Sequence, residues 1–238
     1  MAHSISSDRK RPCSSSGKPG RDCPRCPRLV AFREAWRKRE PEWFNAPVPS
    51  FGAIDARLLI LGLAPGLHGA NRTGRPFTGD YAGDLLYATL VEFGFAQGRY
   101  EARADDGFTL VDCRIANAVR CVPPENKPTP QEIATCRPFL AATIAEMPRL
   151  SAVLALGRVA HDTAVVALGA QRSSLSFAHG SARPLAHVRL FDSYHCSRYN
   201  TNTGVLTPEM FRDVIGKLRA FLGAAPPSPS LGAKVGAA

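Results

Sequence analysis

Long apolar runs are missing from this sequence. Nothing in its 238 residues resembles a membrane span or a secretory signal, so we expect a cytoplasmic protein that does not bind membranes. Acidic residues are also scarce, because 20 Asp and Glu stand against 30 Lys and Arg, for a net charge of +10. This imbalance favours a polyanionic partner, with nucleic acid as the first candidate.

Two common nucleotide-binding loops are also missing from the Gly-rich stretch 62–80, which follows the apolar run 58–61. No Lys-Ser or Lys-Thr pair follows the glycines, and their spacing does not fit a dinucleotide fingerprint. A long polar loop after a buried strand is costly in backbone entropy, and in open α/β sheets ligands bind at the carboxyl ends of strands. We therefore interpret the stretch as a binding site rather than an irregular surface loop.

The side chains of this first loop suit a phosphate or a base. Asn71, Arg72 and Arg75 carry donors for phosphate oxygens or base edges, and Phe77 offers a flat apolar face. Asp80 supplies a carboxylate directly before the next predicted helix. That carboxylate either caps the helix or acts on a ligand.

A second polar loop, residues 194–204, follows the predicted strand 188–193. His195 opens it and is suited to stabilise developing negative charge. Ser197, Arg198 and Asn200 are suited to phosphate contacts. Between the two loops, Asn117 stands at the end of another apolar run. Its amide could pair with both a donor and an acceptor of a base, or it could be an ordinary strand-end residue.

Strand and helix patterns alternate four times along the chain. The sequence predicts strands over 54–61, 108–119, 152–156 and 188–193, and helices over 80–93, 129–147, 158–168 and 207–222, after a first helix over 27–40. This order predicts an α/β fold with a mainly parallel, four-stranded sheet covered on both faces. We expect one domain over residues 23–222, with disordered tails over 1–22 and 223–238.

The seven cysteines do not suggest a disulfide framework, because their number is odd and no secretion signal is present. Cys23 and Cys26 form a CxxC pair, and Cys121 and Cys136 flank a proline-rich loop. Four thiolates from these segments could hold Zn²⁺ or an iron–sulfur cluster, and the spacing does not choose between them. The alternative is a set of free thiols.

Together these residues resemble the uracil-DNA glycosylase superfamily, and within it the iron–sulfur-containing family 5, or type B, enzymes. The likeness rests on the motif from Gly62 to Asp80, the motif from His195 to Gly204 and the four cysteines. It covers the chain from about Cys23 to Leu222. It implies a three-layer α/β/α sandwich with a central four-stranded sheet and a [4Fe–4S] cluster, which we expect to be structural, on Cys23, Cys26, Cys121 and Cys136.

The resemblance also implies an activity, which is hydrolytic excision of uracil from DNA in base excision repair. Hypoxanthine and other deaminated or damaged bases would be further substrates. The site residues carried over by the motifs are catalytic Asp80 and His195, base-binding Gly62, Ala64, Phe77, Asn117 and His195, and DNA-binding Asn71, Arg72, Arg75, Ser197, Arg198 and Asn200. Many relatives carry a polar residue early in the first motif where Leu63 stands here, and family 5 shares the apolar residue. The protein would act as a monomer on the nucleoid DNA of a bacterium.

Two other functions remain open from the sequence. The apolar Leu63 is compatible with a non-catalytic DNA- or RNA-binding protein that has the same fold. The cysteines are compatible with a zinc-stabilised nucleotide-binding protein or hydrolase.

Overall fold

The computed structural model describes residues 17–223, and the rest of both predicted tails lies outside the described residues. Residues 17–22, which we expected within the disordered tail, form a bend at 17–18 and a turn at 21–22. They contact the domain, since the Asp22 carboxylate pairs with the Arg37 guanidinium at 2.7 Å. No helix in the described range is long and apolar enough to cross a membrane.

A mixed sheet of six strands forms the centre of the fold. Its strands are β1 (Phe51–Gly52), β2 (Leu58–Gly62), β5 (Cys113–Asn117), β6 (Ala152–Leu156), β7 (Ala182–Leu185) and β8 (Val188–Ser193). They lie side by side in the order β1-β5-β2-β6-β8-β7. A separate hairpin joins β3 (Ala96–Gln97) to β4 (Thr109–Leu110). The helices are α1 (Pro27–Arg39), α2 (Ala70–Thr73), α3 (Tyr81–Glu92), α4 (Pro130–Ala145), α5 (Arg158–Ala167), α6 (Arg198–Asn202) and α7 (Pro208–Leu222).

The four inner strands, β5, β2, β6 and β8, are parallel, as the sequence predicts. Their side chains are almost entirely buried, since both faces of the sheet are covered. The two outer strands are antiparallel and were not predicted. β1 has only two residues, and β7 contains Pro184, which an edge strand tolerates because one side needs no backbone donor.

Alternate residues of β2 divide the core into two layers. Leu58 and Ile60 pack with buried residues of α3 and α7, such as Leu86 and Phe211. Leu59 and Leu61 pack with buried residues of α4 and α5 on the other face. The three-layer α/β/α sandwich is therefore confirmed.

Side-chain caps fix the starts of α3, α4 and α7, three of the helices that follow inner strands. Thr129 begins α4 with a capping box to Glu132, and Thr207 accepts a hydrogen bond from the Met210 amide at the start of α7. Asp80 caps α3 in the same way. The polar loops are thus held between fixed elements at one edge of the sheet.

Candidate active site

A cavity of about 700 Å³ opens at the carboxyl ends of the inner strands. The first loop, the start of α3, the residues after β6 and the second loop all contribute to its wall. Six of the predicted site residues line it: Ala64, Phe77, Asp80, His195, Ser197 and Arg198. The fold therefore brings together two motifs that are more than a hundred residues apart in the sequence.

The His195 imidazole lies beside the Phe77 ring in this cavity, with ring centroids 5.9 Å apart and planes 26° apart. Burial lowers the pKa of His195 to about 4. The ring is therefore neutral near pH 7, and it can donate an N–H to a developing anion without first losing a proton. The side-chain Nδ2 of Asn200 donates to the His195 carbonyl at 2.8 Å and holds the backbone of His195 in place.

Asp80 both caps a helix and lines the cavity. Its Oδ1 accepts a hydrogen bond from the Gly83 amide at 3.1 Å. Its Oδ2 lies against two glycines, since a Cβ built on Gly66 or Gly69 would be 2.9 or 2.6 Å from that oxygen. Burial, with a smaller effect from the Asp84 charge, raises the pKa of Asp80. The result is a more basic carboxylate at the cavity wall.

Gly62, Phe77 and Asn117 meet beneath the cavity. A Cβ on Gly62 would lie 2.5 Å from Asn117 Oδ1 and 2.6 Å from Phe77 Cζ, so only glycine admits both side chains. Asn117 is 3% exposed, and its Oδ1 has no hydrogen-bond partner within residues 17–223. A buried amide oxygen without a partner is costly, and a polar ligand edge would relieve that cost.

Two of the residues predicted to bind DNA, Asn71 and Arg75, lie in the interior of the protein rather than at its surface. Asn71 is buried, and its Nδ2 donates to Asn45 Oδ1 at 2.8 Å, which joins the loop to the segment after α1. Arg75 is also buried, and its guanidinium donates to both carboxylate oxygens of Asp106 at 2.7 Å. Both side chains are buried and point into the protein, where their polar groups already have partners.

Arg75 instead holds the loop that presents Phe77. Its guanidinium lies among the aromatic rings of Phe51, Tyr87, Tyr100 and Phe108, 5.2 to 5.9 Å from their centroids. Tyr100 Oη accepts from the Gly79 amide and donates to the Phe77 carbonyl. These contacts support a positive φ of 53° at Phe77, which is strained for a bulky residue.

Other predicted DNA contacts lie at the surface around the cavity. Arg72 is exposed, and Arg198 is exposed above the Tyr81 ring, 5.4 Å from its centroid. Ser197 caps α6 by accepting from the Asn200 amide at 3.4 Å. Tyr199, which the sequence did not single out, is 74% exposed beside Arg198.

Cys23, Cys26, Cys121 and Cys136 line one small site against α1 and α4, which they share with apolar residues such as Leu29 and Phe139. All four thiols are free. Burial raises the pKa of Cys26 to about 11 and the pKa of Cys121 to about 12. The neighbouring cysteines add a smaller upward effect on both pKa values.

Two donors reach the sulfur atoms. The Arg120 amide donates to Cys136 Sγ at 3.3 Å, and the Arg33 guanidinium lies 3.9 Å from Cys121 Sγ. Four thiols with N–H donors and positive charge nearby are the ligand type that iron–sulfur clusters use, although the sulfur atoms are not gathered into a ligand set in this structure. Across residues 17–223, no three Cys, His, Asp or Glu side chains are grouped so as to hold a metal ion.

Comparison with known proteins gives the family. The model of the uracil DNA glycosylase superfamily matches residues 49–219. The chain belongs to this superfamily. Its members are hydrolases that act on glycosyl bonds, so the chain is an enzyme of that class.

Three curated relatives extend over most of the chain, and each is named a type-5 uracil-DNA glycosylase. The protein from Thermus thermophilus is 45% identical over 208 residues, which cover 84% of this chain and 94% of the relative. The protein from Pyrobaculum aerophilum is 39% identical over 85% of this chain and 90% of the relative. The protein from Mycobacterium bovis is 44% identical over 84% and 78%.

The cavity is also lined by residues that the sequence did not predict as site residues. Gly157 and Arg158 line it directly after β6, and the same strand-end argument that found the two loops would have found them. Asn126 lines it from the loop between Cys121 and Cys136, with a positive φ of 57°. Nothing local in the sequence marks Asn126, because only the folded loop brings it to the cavity.

Proposed function

We propose that this protein is a monofunctional DNA glycosylase that excises uracil from DNA by hydrolysis and leaves an abasic site for base excision repair. The observation that carries the proposal is the meeting of Phe77, Asp80 and His195 in one cavity, with the Asn117 amide beneath it. The type-5 relatives, by their names, support uracil in DNA as the substrate. The protein would work as a monomer in the cytoplasm, on nucleoid DNA.

Base binding follows from the shape of the cavity floor. A base inside a duplex is out of reach, so the target nucleotide must first be flipped out. The Phe77 face then stacks on the extruded base, and the Asn117 amide pairs with its polar edge. Gly62 and Ala64 contribute backbone close to the base. A cavity of about 700 Å³ accommodates a base and its sugar.

Bond cleavage leaves negative charge on the base. When the N-glycosidic bond breaks, its electron pair moves onto the base, and the positive charge moves to the sugar. The neutral His195 ring donates an N–H to a base oxygen and stabilises that anion. Solvent then protonates the released base.

Asp80 is the carboxylate available for the sugar side of the reaction. Its negative charge offsets the positive charge on the sugar, and its raised pKa helps it accept a proton from the attacking water. The water oxygen bonds to the anomeric carbon, and the new hydroxyl remains on the abasic sugar. Leu63, which also lines the cavity, offers no such group.

We propose that the cavity also accepts hypoxanthine and other deaminated bases. Leu63 places an apolar surface where many relatives carry a polar one, and such a wall discriminates weakly between base edges. DNA would be held by phosphate contacts from Arg72, Ser197, Arg198 and Asn200, of which Ser197 and Arg198 line the cavity.

We further propose that Cys23, Cys26, Cys121 and Cys136 hold a [4Fe–4S] cluster. The four free thiols and the N–H donors beside them support this assignment. The cluster would supply structural cross-linking of α1, the loop after β5 and α4. It takes no part in the cleavage steps above.

Base release from oligonucleotides tests the function. Duplexes carrying uracil opposite guanine, uracil opposite adenine, or hypoxanthine are incubated with excess enzyme, with an undamaged duplex as control. We expect free uracil and an abasic site, with no release from the control. Tight binding without release from any duplex would favour the non-catalytic nucleic-acid-binding function instead.

A further inference from the structure

A second groove adjoins the cavity, with a volume of about 480 Å³. It shares Gly157, Arg158 and His195 with the cavity. Its remaining wall is formed by Phe177, Ala178, His179, Tyr194 and Asn200. A ligand in this groove would therefore lie directly beside a ligand in the cavity. We name it the flanking groove.

Aromatic side chains form most of that wall. The His179 and Tyr194 rings are stacked, with centroids 4.7 Å apart and planes 3° apart, and Phe177 lies 5.9 Å from Tyr194. The Tyr194 amide donates to His179 Nδ1 at 3.1 Å, so the neutral ring carries its proton on Nε2. Burial, with a smaller effect from Lys217, lowers the pKa of His179, so this neutral form prevails near pH 7.

A buried polar network holds this wall in place. His161 and Asp192 are fully buried, with His161 Nδ1 2.7 Å from Asp192 Oδ1. The other Asp192 oxygen accepts from the Ala178 amide and from Ser181 Oγ. The His161 ring also packs edge-on against Phe177, at 5.8 Å. The loop that carries Phe177 and His179 is thus fixed before any ligand arrives, although it lies at the surface.

The polar rim of the groove suits a phosphate. Arg158 is exposed at the first position of α5. The N-cap of this helix is Gly157, so no N-cap side chain accepts a hydrogen bond from the first backbone N–H groups of α5. The backbone N–H groups of such a helix start attract anions, and Arg158 adds a full positive charge. Asn200 also lines the groove and adds a polar side chain to it.

We propose that the flanking groove binds the nucleotide next to the target on the same DNA strand, a proposal that rests on the glycosylase function above. Flipping the target removes a stacking partner from that neighbour and leaves one face of its base bare. The wall of Phe177, His179 and Tyr194 replaces the lost stacking contact, while Arg158 and the start of α5 bind the connecting phosphate. Because the groove and the cavity share a wall, a nucleotide in the groove would be the direct neighbour of the nucleotide in the cavity.

A coupling experiment tests this proposal. Fluorescence anisotropy measures Kd for duplexes with a tetrahydrofuran abasic analogue at the target position, so that no bond is broken. In further duplexes a propanediol spacer replaces the neighbouring nucleotide on either side of the target, or a nucleotide of the opposite strand. Each duplex is measured with the wild type, Phe177→Ala, Phe177→Leu and the control Phe221→Ala. Phe221 is a partly exposed aromatic residue that packs on Arg189, near the other end of β8.

For the wild type and Phe221→Ala, we expect a spacer on one side of the target to raise Kd about fivefold or more. With Phe177→Ala or Phe177→Leu, Kd for the natural duplex should rise by a similar factor, and the spacer should then have little further effect. Phe177→Leu retains apolar volume and guards against a folding defect in Phe177→Ala.

Equal spacer effects in all four proteins, or no spacer effect in the wild type, would overturn the proposal. Coupling seen only with a spacer in the opposite strand would overturn the choice of strand and with it the proposal. Anisotropy measures DNA binding and needs no base release. A result against nucleotide binding in the flanking groove is therefore distinguishable from a result against the glycosylase function, which is tested by base release.

Discussion

Gly62 is the residue whose replacement tests the cavity floor most sharply. In Gly62→Ala, the new Cβ would overlap Asn117 Oδ1 and the Phe77 ring, and both side chains must move. A displacement of about 1 Å at a positioned group can cost about 10²-fold in rate, so we expect a loss of that size in single-turnover uracil release. Gly20→Ala is the matched control, because a Cβ there meets no atom within 4 Å. A rate equal to that of the control would contradict the assignment of the floor.

His195 carries a prediction about pH. Its folded pKa of about 4 lies below the ordinary value of 6.5, so only the unfolded chain takes up a proton as the pH falls through that range. The stability contributed by the neutral ring is present above pH 6.5 and is lost as the pH falls towards 4. Denaturant unfolding across this range should show a steeper decline for the wild type than for His195→Gln. Parallel declines would mean that the His195 pKa is not lowered.

At the scale of elements, the ion pair of Arg75 and Asp106 ties the first loop to the segment before β4. Asp106→Asn would leave the Arg75 charge buried without its partner, which costs about 3 kcal/mol or more in the free energy of unfolding. Asp105→Asn is the control, because its pair with Arg103 is exposed and contributes about 1 kcal/mol or less. Denaturant unfolding of the wild type and both variants measures the two losses in the free energy of unfolding. Equal losses would show that the buried pair does not hold the loop.

The same ion pair sets a pH limit. The Arg75 guanidinium holds the pKa of Asp106 well below its usual range. The contribution of the pair is therefore fully present above the ordinary pKa of 3.8, and it is lost progressively as the pH falls from there through the lowered pKa.

The proposed iron–sulfur cluster is tested by replacing one of its four cysteine ligands. Cys121→Ser removes one of the four proposed ligands, so we expect loss of the broad visible absorption of the purified protein and a lower unfolding temperature. Cys113→Ala is the control, because Cys113 is buried in β5 away from the four-cysteine site. Retained absorption in Cys121→Ser, or a wild-type protein that is colourless and contains zinc, would contradict the iron–sulfur assignment.

The sequence was most informative where the hydrophobic pattern is regular. The predicted strands 152–156 and 188–193 have the bounds of β6 and β8, because short apolar runs between turn residues leave little choice. The predicted strand 108–119 was too long, since only Cys113–Asn117 pairs with β2 and the residues before it form the β3–β4 hairpin. The edge strands could not be predicted, because neither has an apolar pattern.

The candidate site could be predicted as a region but not residue by residue. Strand ends and polar loops located Asp80 and His195 at one edge of the sheet. They could not show that Arg75 points inward, because its partner Asp106 is 31 residues away and becomes its neighbour only in the folded chain. Asn126 and Phe177 were missed for the same reason, since their places depend on tertiary packing alone.

At the scale of the whole molecule, the fold sets a cavity at one sheet edge of a chain with a net charge of +10. The exposed residues Arg72, Arg158 and Arg198 lie near that edge, while the helices α3, α7, α4 and α5 cover the apolar faces of the sheet. This arrangement places the reacting groups where a polyanion would bind. The central claim is that those groups perform the hydrolysis.

The measurement that tests this claim most directly is single-turnover release of uracil from a duplex with uracil opposite guanine, by the wild type, Asp80→Ala and His195→Ala. The account predicts release by the wild type and a loss of about 10²- to 10³-fold for His195→Ala, which lacks the N–H donor to the base. It predicts a clear loss for Asp80→Ala as well, with both variants folded. Near-wild-type rates in both variants would contradict the account.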